Sequence, residues 1–243
     1  MKKSLVVITG ASSGFGAEIA KLFNQAGNPL LLLGRSVEKI EALPLNFENV
    51  MIEKVDVTDY QAFDSSIKKA EAVFGPVDLL VNNAGVMLLG NVLNQNPAEW
   101  QTMMNTNVMG VLNGMQIVLP SMTERRQGTI INMSSLAGKK TFTNHATYVA
   151  SKFGAHGLSE TIREEVSGSN VRVSLVAPGA AETELLTHVT DQGALTDCQA
   201  WKESMGGITL DPVHVAETVK FIYDMPQEVT IREIDIAATA QDN

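Results

Sequence analysis

Tyr148 and Lys152, in the run ATYVASK, stand four apart and share one face if that run is helical. Ser135 lies thirteen residues before Tyr148, just past a strand-like apolar run at 129–133. A phenol, an ammonium and a hydroxyl that converge at the carboxyl end of a strand suit acid/base work on a carbonyl or an alcohol. Free tyrosine, with a pKa of about 10, is a poor base at neutral pH. An ammonium ~4 Å away, at an effective dielectric of ~20, stabilises the phenolate by about 4 kcal/mol against an opposing desolvation cost. The expectation is therefore a phenol brought down towards neutrality, where general acid/base catalysis works best. Many helices carry Tyr and Lys at this spacing, so the surrounding elements decide what the pair means.

Those elements alternate. Runs at 5–8, 30–33, 50–55, 79–81, 129–133 and 171–176 read as strands, and several are apolar throughout, as parallel strands covered on both faces must be. Helical patterns at 14–26, 37–43, 60–74, 97–123 and 146–165 separate them. A last helix is predicted after Asp211-Pro212, an N-cap followed by proline at the first helical position, and a seventh strand near 231–236. This βαβα order predicts an α/β Rossmann fold, a doubly wound, mostly parallel seven-stranded sheet flanked by helices, with residues 1–243 as one domain. The stretch at 178–210 is the least regular and reads as a substrate loop or lid.

The first strand runs straight into TGASSGFG, with Gly10, Gly14 and Gly16 at G-x-x-x-G-x-G spacing around Phe15. Glycines there permit a tight turn and let backbone N–H groups approach a pyrophosphate at a helix N-terminus, while Ser12 and Ser13 add hydroxyl donors. At the end of the second strand an acidic residue would bind a ribose 2′-hydroxyl. This chain instead has Gly34, Arg35 and Ser36. Arg35 suits a bidentate bond to a 2′-phosphate, which predicts NADP(H) over NAD(H).

Composition bounds the alternatives. A net charge of −9 argues against nucleic acid or an anionic membrane as partner. The apolar stretch of the amino-terminal run MKKSLVVITG is too short for a signal peptide, and no run approaches a membrane span. Cys198 is the one cysteine, which fits a reducing compartment, and the expected location is the cytoplasm. The four histidines show no metal spacing, so no metal is expected.

With these residues in place, the chain resembles the short-chain dehydrogenase/reductase family over nearly its whole length. TGASSGFG, Asp56-Val57, NNAG ending at Gly85, Asn107 in NVMG, Ser135 in NMSSLAG, Tyr148, Lys152, and Pro178-Gly179 followed by Thr183 stand in that family's order. The resemblance implies that Asp56 and Val57 hold an adenine, that Asn83, Ala84 and Gly85 line a ribose, and that Pro178, Gly179 and Thr183 flank a nicotinamide. It implies that Lys152 also bonds the nicotinamide ribose, and that Asn107 holds a water linking Lys152 to solvent. Strand alternation sends Ser134 and Ser135 to opposite sides, and the family spacing selects Ser135. GFG, Gly34-Arg35 and the ending IREIDIAATAQ are similar to NADP-dependent 3-hydroxy acid dehydrogenases of the serine 3-dehydrogenase-like subgroup. A homodimer or homotetramer is implied as well.

The resulting expectation is an NADP-dependent oxidoreductase acting on a small hydroxy acid, alcohol or carbonyl, with Tyr148 as general acid/base. A non-catalytic dinucleotide-binding regulator, a reductase of uncharged aldehydes or ketones, and an epimerase or dehydratase with retained cofactor are the alternatives. Lys139 and Lys140 read either as a solvated pair or as a lure for a substrate carboxylate. His145 reads as a helix-start residue or a substrate contact, Trp100 and Trp201 as packing or pocket walls, and the methionines as core filler.

Overall fold

The computed structural model describes residues 3–241, so two positions at each end of the predicted 1–243 span lie outside the described residues. The elements run β1 (Leu5–Thr9), α1 (Gly14–Gln25), β2 (Leu30–Gly34), α2 (Val37–Glu41), β3 (Val50–Lys54), α3 (Tyr60–Phe74), β4 (Val77–Asn82) and α4 (Pro97–Met104). They continue with α5 (Gly110–Arg125), β5 (Thr129–Met133), α6 (Ala146–Val166), β6 (Arg172–Pro178), α7 (Gln192–Ser204), α8 (Pro212–Asp224) and β7 (Glu233–Ile236). One seven-stranded sheet has the order β3-β2-β1-β4-β5-β6-β7, parallel throughout.

The apolar strand runs have a simple cause. β1 sends Leu5 and Val7 into one helical layer with Phe63 and Ile67 of α3, Met115 of α5 and Ile162 of α6. It sends Val6 and Ile8 into the other, with Ile19 and Phe23 of α1, Ile40 of α2 and Val219 of α8. Both faces are covered, so residues of both parities are apolar unless a buried partner satisfies them. The edges differ: β3 is mostly half-buried, and β7 exposes Glu233 and Asp235, charges that discourage further strand pairing.

Local signals act as their chemistry dictates. Asp59 accepts from the Ala62 N–H to cap α3, and Asp211 accepts from the Val213 N–H ahead of Pro212 to cap α8. Two predicted elements are corrected. The helix expected at 97–123 is interrupted by a π-helical turn over Asn105–Met109, which periodicity alone does not distinguish from α-helix. The stretch expected to be irregular at 178–210 holds a 3-10 turn, Glu184–His188, and the 13-residue α7. Asp191 caps α7 by accepting from Ala194 N–H, a signal that was present in the sequence.

A buried polar ladder sets the height of α6 against the sheet. Asn82 of β4 donates to Asn132 of β5 at 2.9 Å, Asn132 donates to Ser159 at 2.8 Å, and Ser159 donates to the Ala155 carbonyl at 2.6 Å. All three side chains are buried, so each partner would be left unsatisfied if the ladder broke. Asn132→Ala is expected to cost about 1–3 kcal/mol, read as a lower urea midpoint at unchanged m-value.

Candidate active site

The sheet order reverses beside β1, so the chain segments leaving the carboxyl ends of β1 and β4 lead to helices on opposite faces and a crevice lies between them. The Thr9 hydroxyl oxygen accepts from the N–H groups of Asn83 and Ala84, both at 2.9 Å. In return Asn83 Nδ2 donates to the carbonyls of Thr9 and Gly10 at 3.0 and 3.1 Å. This clasp presses the two loops so close that Gly10, at φ +64°, would put a Cβ 2.8 Å from the Ala84 Cα. Gly16 lies behind, where a Cβ would collide with the Gly10 carbonyl. Glycine is required at both positions by close backbone approach.

The crevice opens into a cleft of about 660 Å³. At one end stand Gly10, Ser12, Ser13, Gly14 and Phe15, then Arg35 and Ser36 after β2, and Asp56 and Val57 after β3. Asn83, Ala84 and Gly85 form the floor, and Pro178, Gly179 and Thr183 approach from β6. All of these were singled out from the sequence, and the fold brings them to one cavity. Gly16 and Asn107 were singled out too, but they support the wall from behind. Asp56 turns one carboxylate oxygen onto Thr58, accepting from its N–H at 2.9 Å and its hydroxyl at 2.8 Å.

Tyr148 and Lys152 line the middle of the cleft from α6, with Ser135 opposite. Ser135 caps the short turn Leu136–Gly138 by accepting from Ala137 N–H at 3.1 Å, and its hydroxyl is near enough to the Tyr148 phenol to favour the charged form. Ser134 points elsewhere, its hydroxyl beside Gly138 near His156, as strand alternation requires. Lys152 donates to the Met133 carbonyl at 3.0 Å, and its Nζ lies 5.7 Å from the Tyr148 ring centroid. Behind it, Asn107 in the π-helical turn accepts from Val86 N–H and donates to the Val86 carbonyl and the Ser151 hydroxyl. Both amide hydrogens of Asn107 are thereby engaged, so its side chain ties α6 to the loop after β4. Ser151 was not singled out from the sequence; it donates to the Tyr148 carbonyl at 2.7 Å and completes this brace.

Electrostatics overturns the sequence expectation for the phenol. Burial pushes Tyr148 up to about 12, with the Ser135 hydrogen bond acting weakly downwards. Burial also pulls the Lys152 ammonium down to about 8. Desolvation therefore outweighs the attraction of the ammonium, and Tyr148 is a protonated phenol at neutral pH.

The other end of the cleft came less readily from the sequence. Phe142, His145, Trp201 and Tyr148 form an aromatic wall with successive centroid distances between 5.6 and 6.2 Å. His145 Nδ1 lies 2.6 Å from the Thr143 carbonyl, which requires that nitrogen to carry the proton, and burial lowers its pKa. α7 contributes Asp197, Cys198, Trp201 and Lys202. Asp197 accepts from Asn144 Nδ2 at 3.0 Å, and burial raises the Cys198 thiol. Trp201 is thus a cleft wall, whereas Trp100 packs with Val86 and Met103 and donates to Gln95. Lys139 is unavailable to a ligand in the cleft, because Glu233 and Asp235 hold its ammonium at 2.8 and 2.7 Å. Among the described residues no cluster of three metal-ligating side chains occurs, and no helix is long and apolar enough to cross a membrane.

Known proteins share this arrangement. The family model for short chain dehydrogenase matches residues 4–194. An uncharacterised oxidoreductase of Staphylococcus saprophyticus is 33% identical over 99% of this chain and 98% of its own. The structure of a closed form of serine dehydrogenase complexed with NADP+ superposes with a TM-score of 0.89 and 30% identity, covering 98% of this chain and 96% of that one. An alcohol dehydrogenase from the archaeon Thermococcus sibiricus, complexed with 5-hydroxy-NADP, superposes with a TM-score of 0.86 and 26% identity over 99% of each chain.

Proposed function

The chain belongs to the short-chain dehydrogenase family and is an oxidoreductase, and we propose that it uses NADP(H) to interconvert a small hydroxy acid and its carbonyl form, with Tyr148 as general acid/base. The observation that carries this reading is the meeting of a buried phenol, a serine hydroxyl and a buried lysine in the middle of one cleft. The other end of that cleft is a glycine-lined crevice with the cations Arg35 and Lys39 at its mouth.

The cleft fits a dinucleotide on its own geometry. Gly10 and Gly14 line the cleft with backbone alone, and the N-terminus of α1 offers backbone N–H groups to a pyrophosphate. Arg35 and Ser36 suit a 2′-phosphate, Asp56 and Val57 an adenine, Asn83, Ala84 and Gly85 a ribose, and Pro178, Gly179 and Thr183 a nicotinamide. The presence of NADP and 5-hydroxy-NADP in related structures supports the choice of cofactor. When bound, the cofactor supplies or takes up the hydride.

The protein's own groups handle the proton. Tyr148, held protonated by burial, donates to the substrate carbonyl oxygen during reduction. The Ser135 hydroxyl steadies the same oxygen. Lys152 sits beside the phenol as a cation below about pH 8 and stabilises the phenolate left when Tyr148 gives up its proton, while the brace around Asn107 holds α6 in place. Oxidation reverses these steps and first requires Tyr148 to lose its proton.

Lys202 favours a hydroxy acid, since it brings an ammonium to the substrate end of the cleft, where Lys139 does not reach. The aromatic wall supports a second reading, a reductase of uncharged aldehydes or ketones. Lys202→Met separates them. For the hydroxy acid reading, KM for 3-hydroxypropanoate should rise about tenfold, with less than about twofold change for 1-propanol. Equal effects on both favour the second reading.

Tyr148→Phe should lower turnover by about 100-fold or more and leave the NADPH Kd within about threefold. Substantial turnover in that variant would remove Tyr148 from the chemistry. The two directions should also diverge with pH. Oxidation needs the deprotonated phenol and rises between pH 6 and 10, whereas reduction falls above about pH 8 as Lys152 loses its charge. An oxidation rate flat across this range argues against Tyr148 as the base.

A further inference from the structure

Lys39 and Glu184 are 145 residues apart in sequence, yet the Lys39 ammonium lies 2.7 Å from the Glu184 carboxylate. Lys39 belongs to α2, which follows Arg35 and Ser36; Glu184 opens the 3-10 turn after Thr183. Both side chains line the same end of the cleft as Ser13, Arg35 and Ser36. Thr183 itself lies over the phosphate loop, since a Cβ on Gly14 would meet its side chain at 3.3 Å. The bond to Lys39 holds the Glu184 carboxyl below the ordinary carboxylate range, and nearby Ser13 acts in the same direction. The carboxylate is thus an anion held by a lysine ammonium beside the phosphate loop, a donor type that also binds phosphate.

We propose that Glu184 is an internal counter-anion at the 2′-phosphate corner, that Lys39 is a second phosphate-binding cation beside Arg35, and that NADP(H) takes Lys39 over from Glu184. The proposal rests on the NADP(H) reading above and deepens it. A 2′-phosphate carries more negative charge than a carboxylate, so it wins the exchange. Glu184 nevertheless opposes it, because like charges within a Debye length of about 8–10 Å repel. NAD(H) has only a hydroxyl at that position and leaves the pair undisturbed. Glu184 therefore tempers the preference for NADP(H), and Lys39 creates part of it.

The test is calorimetric titration of NADP+ and NAD+ into the wild type and the Glu184→Gln, Lys39→Ala and Arg35→Ala variants at about 50 mM salt, where surface charges are weakly screened. Glu184→Gln should tighten NADP+ about threefold and Lys39→Ala weaken it about tenfold, each with NAD+ unchanged within about twofold. The proposal is overturned if Glu184→Gln weakens NADP+, leaves it unchanged, or shifts both dinucleotides equally, or if Lys39→Ala leaves the NADP+/NAD+ ratio unaltered. Arg35→Ala separates this failure from that of the underlying reading. If Arg35→Ala also leaves the ratio unchanged, the 2′-phosphate assignment itself fails. If Arg35→Ala moves the ratio while the other two do not, only the role of the Lys39–Glu184 pair is lost.

Discussion

The clasp between Thr9 and Asn83 governs the working end of this protein. It joins two loops at the one place where the strand order reverses, so the phosphate loop and the floor of the cleft hang from the same four hydrogen bonds. Residues on either side inherit its closeness. Gly10 has no room for a side chain, Gly16 must let α1 begin against the Gly10 carbonyl, and Gly85 sits where a Cβ would lie 3.3 Å from Asn107 Oδ1. The crevice follows from connections that leave paired strands for opposite faces of the sheet, and the clasp keeps its two lips in register.

The second constraint is the cost of burying charge. Lys152 is only 7% exposed, and the hydrogen bond described for its ammonium goes to the Met133 carbonyl. Burial draws its proton affinity down and pushes that of Tyr148 up, so enclosure favours the pair with the phenol protonated. The simple Coulomb argument from the sequence had the opposite sign for Tyr148, because it weighed the attraction of the ammonium above a desolvation cost that only the enclosed site makes large. A cationic nicotinamide and a polar substrate would alter that balance, which is how one tyrosine can serve both directions of a redox reaction.

Much of this was legible in the residues. The doubly wound parallel sheet, the glycine-rich turn, the opposite aims of Ser134 and Ser135 and the cap at Asp211 are consequences of periodicity and of single-residue chemistry. The helical character of α7 was missed although its cap, Asp191, was visible, because its weak apolar stripe resembles a loop. The π-helical turn around Asn107 was also missed, since one additional residue per turn leaves no mark in a short apolar pattern.

The sequence by itself determined most of the strands and helices and nominated the side chains suited to chemistry, because turns, caps and strand alternation are decided within a few neighbouring residues. Tertiary structure alone decided which of those side chains meet. Lys139, a candidate for substrate binding, is captured by Glu233 and by Asp235, 96 residues away. Lys39 is captured by Glu184, and Trp201 and Lys202 reach the cleft only because α7 docks through Ala194 and Cys198 onto Leu89. Even the protonation of Tyr148 belongs to this second category, for it depends on enclosure by segments that are distant in the chain. Pairings at such separations follow from sheet order and helix docking, and no local pattern encodes them.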